Sequence, residues 1–275
     1  MSSDVAIRCT GLSKAYQLYA RRTDRLKQVM FGGFRRFYQE YWVLRGIDLE
    51  IERGECVGII GANGAGKTTL LQLLSGITQP TSGQLEISGR IAPILALGSG
   101  FVGDLSGRDN VLIAGVMLGL RRAEIMSRLP AIQEFSGIGP FIDQPVRVYS
   151  TGMRARLAFS ICAHADVDIM VVDEALAVGD AVFREKCMRF MESFRRSGTL
   201  VVVSHEDEQL AAMCDRLVWI DGGTIRASGE TAEMLRQYRD AMHEDNDDGS
   251  RFRFESAAHA PLDPAAAPPE GMRLS

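Results

Sequence analysis

The residues best placed to do chemistry are Gly61, Gly66, Lys67 and Thr68, which carry the spacing G-x-x-x-x-G-K-[ST]. An apolar run at 56–60 precedes them and reads as a buried parallel strand. Leu70, Leu71, Leu73 and Leu74 follow at helical spacing as far as Gly76. In that order a strand feeds a glycine-rich turn into a helix N-terminus, where backbone N–H groups and the helix dipole can close around phosphate oxygens. The expected phosphate-binding set is Gly61, Asn63, Gly64, Ala65, Gly66, Lys67, Thr68 and Thr69, with Lys67 reaching β- and γ-phosphates and the Thr68 hydroxyl ligating Mg²⁺. The plainer alternative is a turn with an incidental lysine. The chain has four lysines in all, at 14, 27, 67 and 186, beside a large excess of arginine, so a lysine at this position is not a product of composition.

Phosphoryl transfer to water also needs a metal partner, a charge clamp and a group that orients the water. Residues 169–172 and 199–203 are all-apolar strands that end in polar pairs, Asp173-Glu174 and Ser204-His205, as buried parallel strands do at a ligand-binding edge. Asp173 is the expected Mg²⁺ partner, Glu174 the group that polarises the attacking water, and His205 a contact to the γ-phosphate.

Other elements must hold these groups in place. Residues 5–9 read as a short strand, and 42–51 and 84–87 as alternating strands that pair antiparallel beside the parallel core. From Ser106, a candidate N-cap, the pattern becomes helical to about Gly119. A second helix spans about 122–135, residues 137–148 form a connecting loop, and another helix follows Tyr149. This block reads as a helical layer inserted into an α/β core. A hairpin at 216–228 and a helix at 231–242 complete the core. The acidic, then Ala- and Pro-rich tail reads as disordered apart from a short strand at 251–254.

Residues 20–41 hold six basic and two acidic side chains among five aromatics. Two readings stay open: an amphipathic segment covering the sheet, or a surface whose Arg21, Arg22, Arg25, Lys27, Arg35 and Arg36 meet lipid headgroups or an anionic substrate.

With 46% hydrophobic and 24% charged residues the composition is that of a globular chain, and the net charge of −4 gives no general attraction to nucleic acid. Five cysteines without a C-x-x-C pair suggest reduced core residues. No run approaches the ~18 apolar residues of a membrane helix, so work at a membrane would need another chain to supply the span.

Tyr149-Ser-Thr-Gly-Met153 resembles the signature loop of ATP-binding cassette ATPases, and with the loop at 61–68, Asp173-Glu174, a D-loop at 175–180 and Ser204-His205 the motifs stand in that family's order. The resemblance covers residues 4 to about 235. It implies a P-loop NTPase (RecA-like) α/β core with an antiparallel β subdomain and an inserted α-helical subdomain at about 100–165. It also implies a head-to-tail homodimer with two ATP and Mg²⁺, in which Ser150 and Gly152 of one copy face the Lys67 loop of the other. Tyr16 becomes the aromatic expected to stack on adenine, with Trp42 behind it. The wording of residues 97–110, 149–160 and 174–187, and the insertion before Trp42, are similar to the ATPase subunits that export O-antigen, capsule or teichoic acid. That likeness implies a polytopic membrane partner (a permease), a lipid-linked polysaccharide as cargo, and a peripheral place on the cytoplasmic face of the membrane. Two alternatives are a soluble cassette acting on DNA or the ribosome and a P-loop kinase with an acceptor pocket.

Ala96 departs from the pattern, since many cassettes carry there a glutamine that touches Mg²⁺. Either a neighbouring group replaces it or coupling runs through residues 98–101. The 33 residues from His243 onward are too few for the sugar-binding β-sandwich that some such ATPases carry, so cargo selection is not expected of this chain.

Overall fold

The computed structural model describes residues 4–31, 36–94, 100–173, 180–204 and 206–247. It opens with β1 (Val5–Leu18), α1 (Arg22–Phe31) and β2 (Gln39–Glu52). Next come β3 (Cys56–Ile60), α2 (Lys67–Leu74), β4 (Ser82–Ile87) and β5 (Ile91–Ile94). The helical block is α3 (Gly107–Met117), α4 (Arg122–Ser136), 3-10 turns at Gly139–Asp143 and Val146–Val148, and α5 (Thr151–Ala163). The chain then returns through β6 (Ile169–Val172), α6 (Ala181–Phe194), β7 (Thr199–Val203) and α7 (Asp207–Met213). It closes with β8 (Arg216–Asp221), β9 (Thr224–Glu230) and α8 (Thr231–Asp247).

A six-stranded sheet has the order β5-β6-β7-β3-β8-β9, parallel throughout except for β9. Strands β3, β6 and β7 lie inside it with every residue buried, which is why they read as near-continuous apolar runs without alternation. A second, antiparallel sheet has the order β2-β1-β4. Between the two sheets sits α2, whose Leu70, Leu71, Leu73 and Leu74 are fully buried against Ile7, Leu44, Ile47, Val57 and Val201. Burying a leucine is worth roughly 1.5–3 kcal/mol, so these four side chains lock the helix, and with it the loop before it, onto both sheets.

The helical block has its own core of Val111, Ile125, Leu129, Ile132, Leu157 and Ile161. Ser106 caps α3, its Oγ accepting from Asp109 N at 3.1 Å. Phe135, Phe159, Phe183 and Phe190 pack with centroids 5.8–6.4 Å apart and join α4 and α5 to α6.

Several elements depart from the sequence reading. β1 runs to Leu18 where the sequence suggested an end at Cys9, because register shifts around Gly11 let one strand serve two partners. β5 was not expected; it contains Pro93, which an edge strand pairing only with β6 tolerates. α6 and α7 had no reading, and α8 extends five residues past the expected end at Met242. α1 is a helix, but its described apolar side chains do not cover the sheet. Leu26, Val29 and Met30 are 67, 82 and 68% exposed, while among its residues of described burial Asp24 and Gln28 are half-buried.

Residues up to Arg236 form one compact unit, and a second begins at Gln237, described as helix to Asp247. The strand expected at 251–254 lies outside the described residues.

Candidate nucleotide-binding site

Gly61 leaves the end of β3 with φ 150°, and a Cβ built there would stand 2.2 Å from the Ile220 carbonyl oxygen. Gly66, with φ 110°, caps α2, and a Cβ there would meet Leu44 Cδ2 at 2.6 Å. Both positions therefore require glycine for the loop to pass between β8 and β2. Among the described residues the Gly66 N-cap of α2 makes no side-chain capping bond, and the leading N–H groups of a helix are the ones that suit an anion. Asn63 and Gly64 are exposed at the crest, Ala65 is buried beneath it, Thr68 is exposed and Thr69 half-buried.

Lys67 is 7% exposed, and its Nζ donates to the carbonyl oxygens of Gly61 (2.7 Å) and Ala62 (3.1 Å). The ammonium is thus held across the loop, a compact charge at the place where phosphate oxygens would enter.

The parallel register brings the other strand ends to the same edge. Val172 pairs with Val202, and Val202 with Gly58, so Asp173 stands level with Ile59 and Ser204 with Ile60, the last two residues of β3 before the loop. Asp173 lies two strand spacings from β3, about 10 Å across the backbones. Its N–H donates to Ile94 O at 3.3 Å, and its carboxyl is half-buried. Ser204 Oγ donates to Gln209 Oε1 (2.7 Å) and accepts from Glu206 N (3.0 Å). Mg²⁺ takes oxygen ligands, commonly one or two from protein with the rest from phosphate and water. The Thr68 hydroxyl and the Asp173 carboxylate suit that demand, and the glycine cradle suits the phosphates.

Tyr16 sits on β1 directly opposite Tyr41, two pairs beyond Lys14–Leu44, and Leu44 is the side chain against Gly66. The antiparallel sheet therefore carries the two tyrosines, 37 and 55% exposed, toward the loop side of the fold. Lys14 Nζ lies 5.1 Å from the Tyr16 ring centroid. Tyr41 had no reading in the sequence, and Trp42, the second aromatic expected there, is half-buried. The signal lay in strand register, which the irregularities of β1 between Cys9 and Ala15 determine.

Ser150 caps α5, its Oγ accepting from Met153 N at 3.1 Å, and both it and Thr151 are exposed with Gly152 half-buried. Tyr149 before it is buried, and its hydroxyl donates to Phe141 O. The structure does not bring Ser150 or Gly152 to the loop of the same chain by any hydrogen bond among the described residues. A second residue missed by sequence reasoning is Asn110, 1% exposed. Its amide accepts from Val102 N (2.7 Å) and donates to the carbonyls of Val102, Leu105 and Ser106, fixing the segment that follows residues 95–99. Glu174, His205, Ala96, Gly98 and the D-loop residues 175–179 lie outside the described residues.

The profile of the ABC transporter family matches residues 44–177. The O-antigen export system ATP-binding protein RfbB of Myxococcus xanthus is 52% identical over 219 residues, 79% of this chain and 48% of that protein. The teichoic acids export ATP-binding protein TagH of Enterococcus faecalis is 44% identical over 247 residues, 90% of this chain and 55% of that one. The chain thus spans about half the length of these two relatives. RfbB of Klebsiella pneumoniae is matched at 39% identity over 241 residues, 86% of this chain and 98% of its own. Among solved structures, an ATP-binding subunit of an ABC transporter superposes with TM-score 0.67 at 20% identity, covering 85% of this chain and 93% of that one. A dimeric ATP-binding cassette bound to ADP and phosphate superposes with TM-score 0.66 at 17% identity, covering 82% and 98%. At such identities these structures speak for the fold alone. The match along nearly all of the Klebsiella relative carries the assignment further: this chain belongs to the ABC transporter family.

Proposed function

We propose that the chain is the ATP-hydrolysing subunit of an exporter for a lipid-linked cell-surface polysaccharide. It acts as a head-to-tail dimer on a polytopic permease at the cytoplasmic face of the membrane. The observation that carries the ATP reading is the Gly61–Thr68 loop at the same sheet edge as Asp173 and Ser204. The names of the relatives, O-antigen and teichoic acid export ATP-binding proteins, support the cargo class.

In this reading the N–H groups of the loop and of the first turn of α2 hold the phosphates, and Lys67 moves from its carbonyl contacts onto β/γ oxygens. Thr68 and Asp173 hold Mg²⁺, which neutralises charge on the phosphates. Tyr16, with Tyr41 beside it, offers a ring for adenine. Glu174 polarises the water, and His205 contacts the γ-phosphate. Ser150, exposed, and Gly152, half-buried, at the capped start of α5 supply N–H groups to the nucleotide on the second copy. Closure of the two copies around ATP drives the permease, and hydrolysis resets them.

The test is ATP turnover by the purified chain with Mg²⁺, beside Glu174→Gln. Turnover by the wild type, a loss of at least about a hundredfold in the variant and retained ATP binding are expected. No turnover in either, or equal turnover in both, would overturn the enzymatic reading. The cargo is tested separately: depleting the chain from its own cells should strand glycan lipid on the inner leaflet, and unchanged surface polysaccharide would remove that part.

A further inference from the structure

In a helix that merely covers a sheet, apolar side chains turn inward and charged ones outward. In α1 the described apolar side chains turn outward instead. Among the α1 residues whose burial is described, the half-buried ones are Asp24 and Gln28, one helical turn apart. Asp24 accepts within the helix's own turns, from Lys27 Nζ (3.2 Å) and Arg21 N (3.1 Å), and Gln28 accepts from Phe37 N (2.8 Å), the contact that anchors this face to the following chain. On the outward face Leu26, Val29 and Met30 are 67, 82 and 68% exposed at i, i+3, i+4 spacing.

Helical geometry sets Arg22 and Arg25 in the same outward sector, and no ion pair among the described residues engages either. Asp24, the helix's one acid, is turned inward and paired. The outward face is therefore apolar at its centre, cationic at its margin and free of negative charge, on a chain whose net charge is −4.

From this arrangement we propose that α1 is a membrane-contact element: its outward face lies on the headgroup layer of an anionic lipid bilayer. Leu26, Val29 and Met30 enter the acyl boundary, while Arg22 and Arg25 meet lipid phosphates. Charge selects this occupant. A surface with both apolar depth and a dense array of anions matches the face along its whole length. The inference stands on α1 alone and needs no nucleotide.

The test is co-sedimentation of the full chain with vesicles of phosphatidylcholine and phosphatidylglycerol, against vesicles of phosphatidylcholine only. Binding to the anionic vesicles is expected, weakening strongly at about 0.5 M salt, where screening reaches only about 4 Å. Arg22→Gln with Arg25→Gln should lower the partition coefficient roughly 30-fold, about fivefold for each charge. The triple variant Leu26→Ser, Val29→Ser, Met30→Ser should lower it at least as much. A distant control, Val116→Ser with Met117→Ser, exposed on α3, should leave it unchanged. Absence of wild-type binding to anionic vesicles, or full binding by either α1 variant, would overturn the proposal. All these positions are exposed, so circular dichroism and ATP turnover in solution should match the wild type. A failure here therefore leaves the ATPase reading standing, and a failure of that reading leaves this one.

Discussion

Arg156 on α5 reaches Asp180, the residue that caps α6, with 3.5 Å between guanidinium and carboxylate. One aspartate thus does two things: Oδ1 accepts from Phe183 N at 2.9 Å while Oδ2 faces Arg156. The helix that starts at Ser150 is tied to the one that resumes after residues 174–179. Arg156 also lies over the Phe183 ring, 6.0 Å from its centroid. Asp180→Ala should cost about 1 kcal/mol, chiefly through the lost cap, which for a unit of this size lowers Tm by about 2–4 °C. Asp180→Asn keeps the cap and loses a half-exposed ion pair worth under about 1 kcal/mol. Calorimetry should show the smaller drop for Asn; equal drops would mean the cap contributes nothing.

The crowding around the loop predicts an order among its glycine variants. At Gly61 the obstacle is backbone, the Ile220 carbonyl, whereas at Gly66 it is the end of the Leu44 side chain. Backbone strain of about 1–3 kcal/mol accompanies either alanine and stays whatever surrounds it; only the added clash with the Leu44 side chain at Gly66 can be relieved by a neighbour. Gly61→Ala should therefore lower Tm more than Gly66→Ala. Leu44→Ala should recover ATP binding for Gly66→Ala and not for Gly61→Ala, as titration calorimetry would measure.

Much of this architecture was legible in the residues because function and burial left separate marks. The Gly61–Thr68 spacing, the solid apolar runs of β6 and β7 and the Ser106 cap each follow from one local cause. What stayed hidden depends on partners distant in sequence. Pro93 disguised β5, since a proline argues against a strand until the edge position is known. The bulges of β1 decide that Tyr16 faces Tyr41 and not Trp42. Composition gave the basic, apolar character of residues 20–41 but not the direction each side chain takes. α6 carried a readable signal, with Phe183, Cys187 and Met191 buried at four-residue spacing.

Gly107 and Tyr149 form a tight pair: a Cβ at Gly107 would lie 2.2 Å from the Tyr149 hydroxyl oxygen and 3.2 Å from Cζ. Gly107→Ala should cost about 1–3 kcal/mol by overpacking. Tyr149→Phe, which strands the Phe141 carbonyl, should cost about 1 kcal/mol. Because the second change removes the atom that the first collides with, the double variant should cost less than the sum in a denaturant-based cycle. Burial raises the Tyr149 phenol above its ordinary range, with Asp143 adding to the effect. Its absorbance titration should accordingly lag behind that of the exposed tyrosines.

All five cysteines are buried thiols. Burial pushes Cys9, Cys162 and Cys187 up to about 12 from 9.0. At pH 8 the folded chain should resist iodoacetamide and become reactive on unfolding in urea. Since the folded state holds these protons more tightly, their contribution to stability is complete below about pH 9 and is lost as pH rises toward about 12. Rapid labelling of the native protein at pH 8 would contradict their burial.

The central claim is that two copies clasp ATP between the Lys67 loop of one and the Ser150 turn of the other. Light scattering on Glu174→Gln tests it most directly, with and without ATP, beside the same variant carrying Ser150→Glu. A shift from the mass of one chain to that of two on adding ATP, abolished by the added carboxylate at the start of α5, is the predicted result. A mass that ignores ATP, or a dimer indifferent to the change at Ser150, would contradict it.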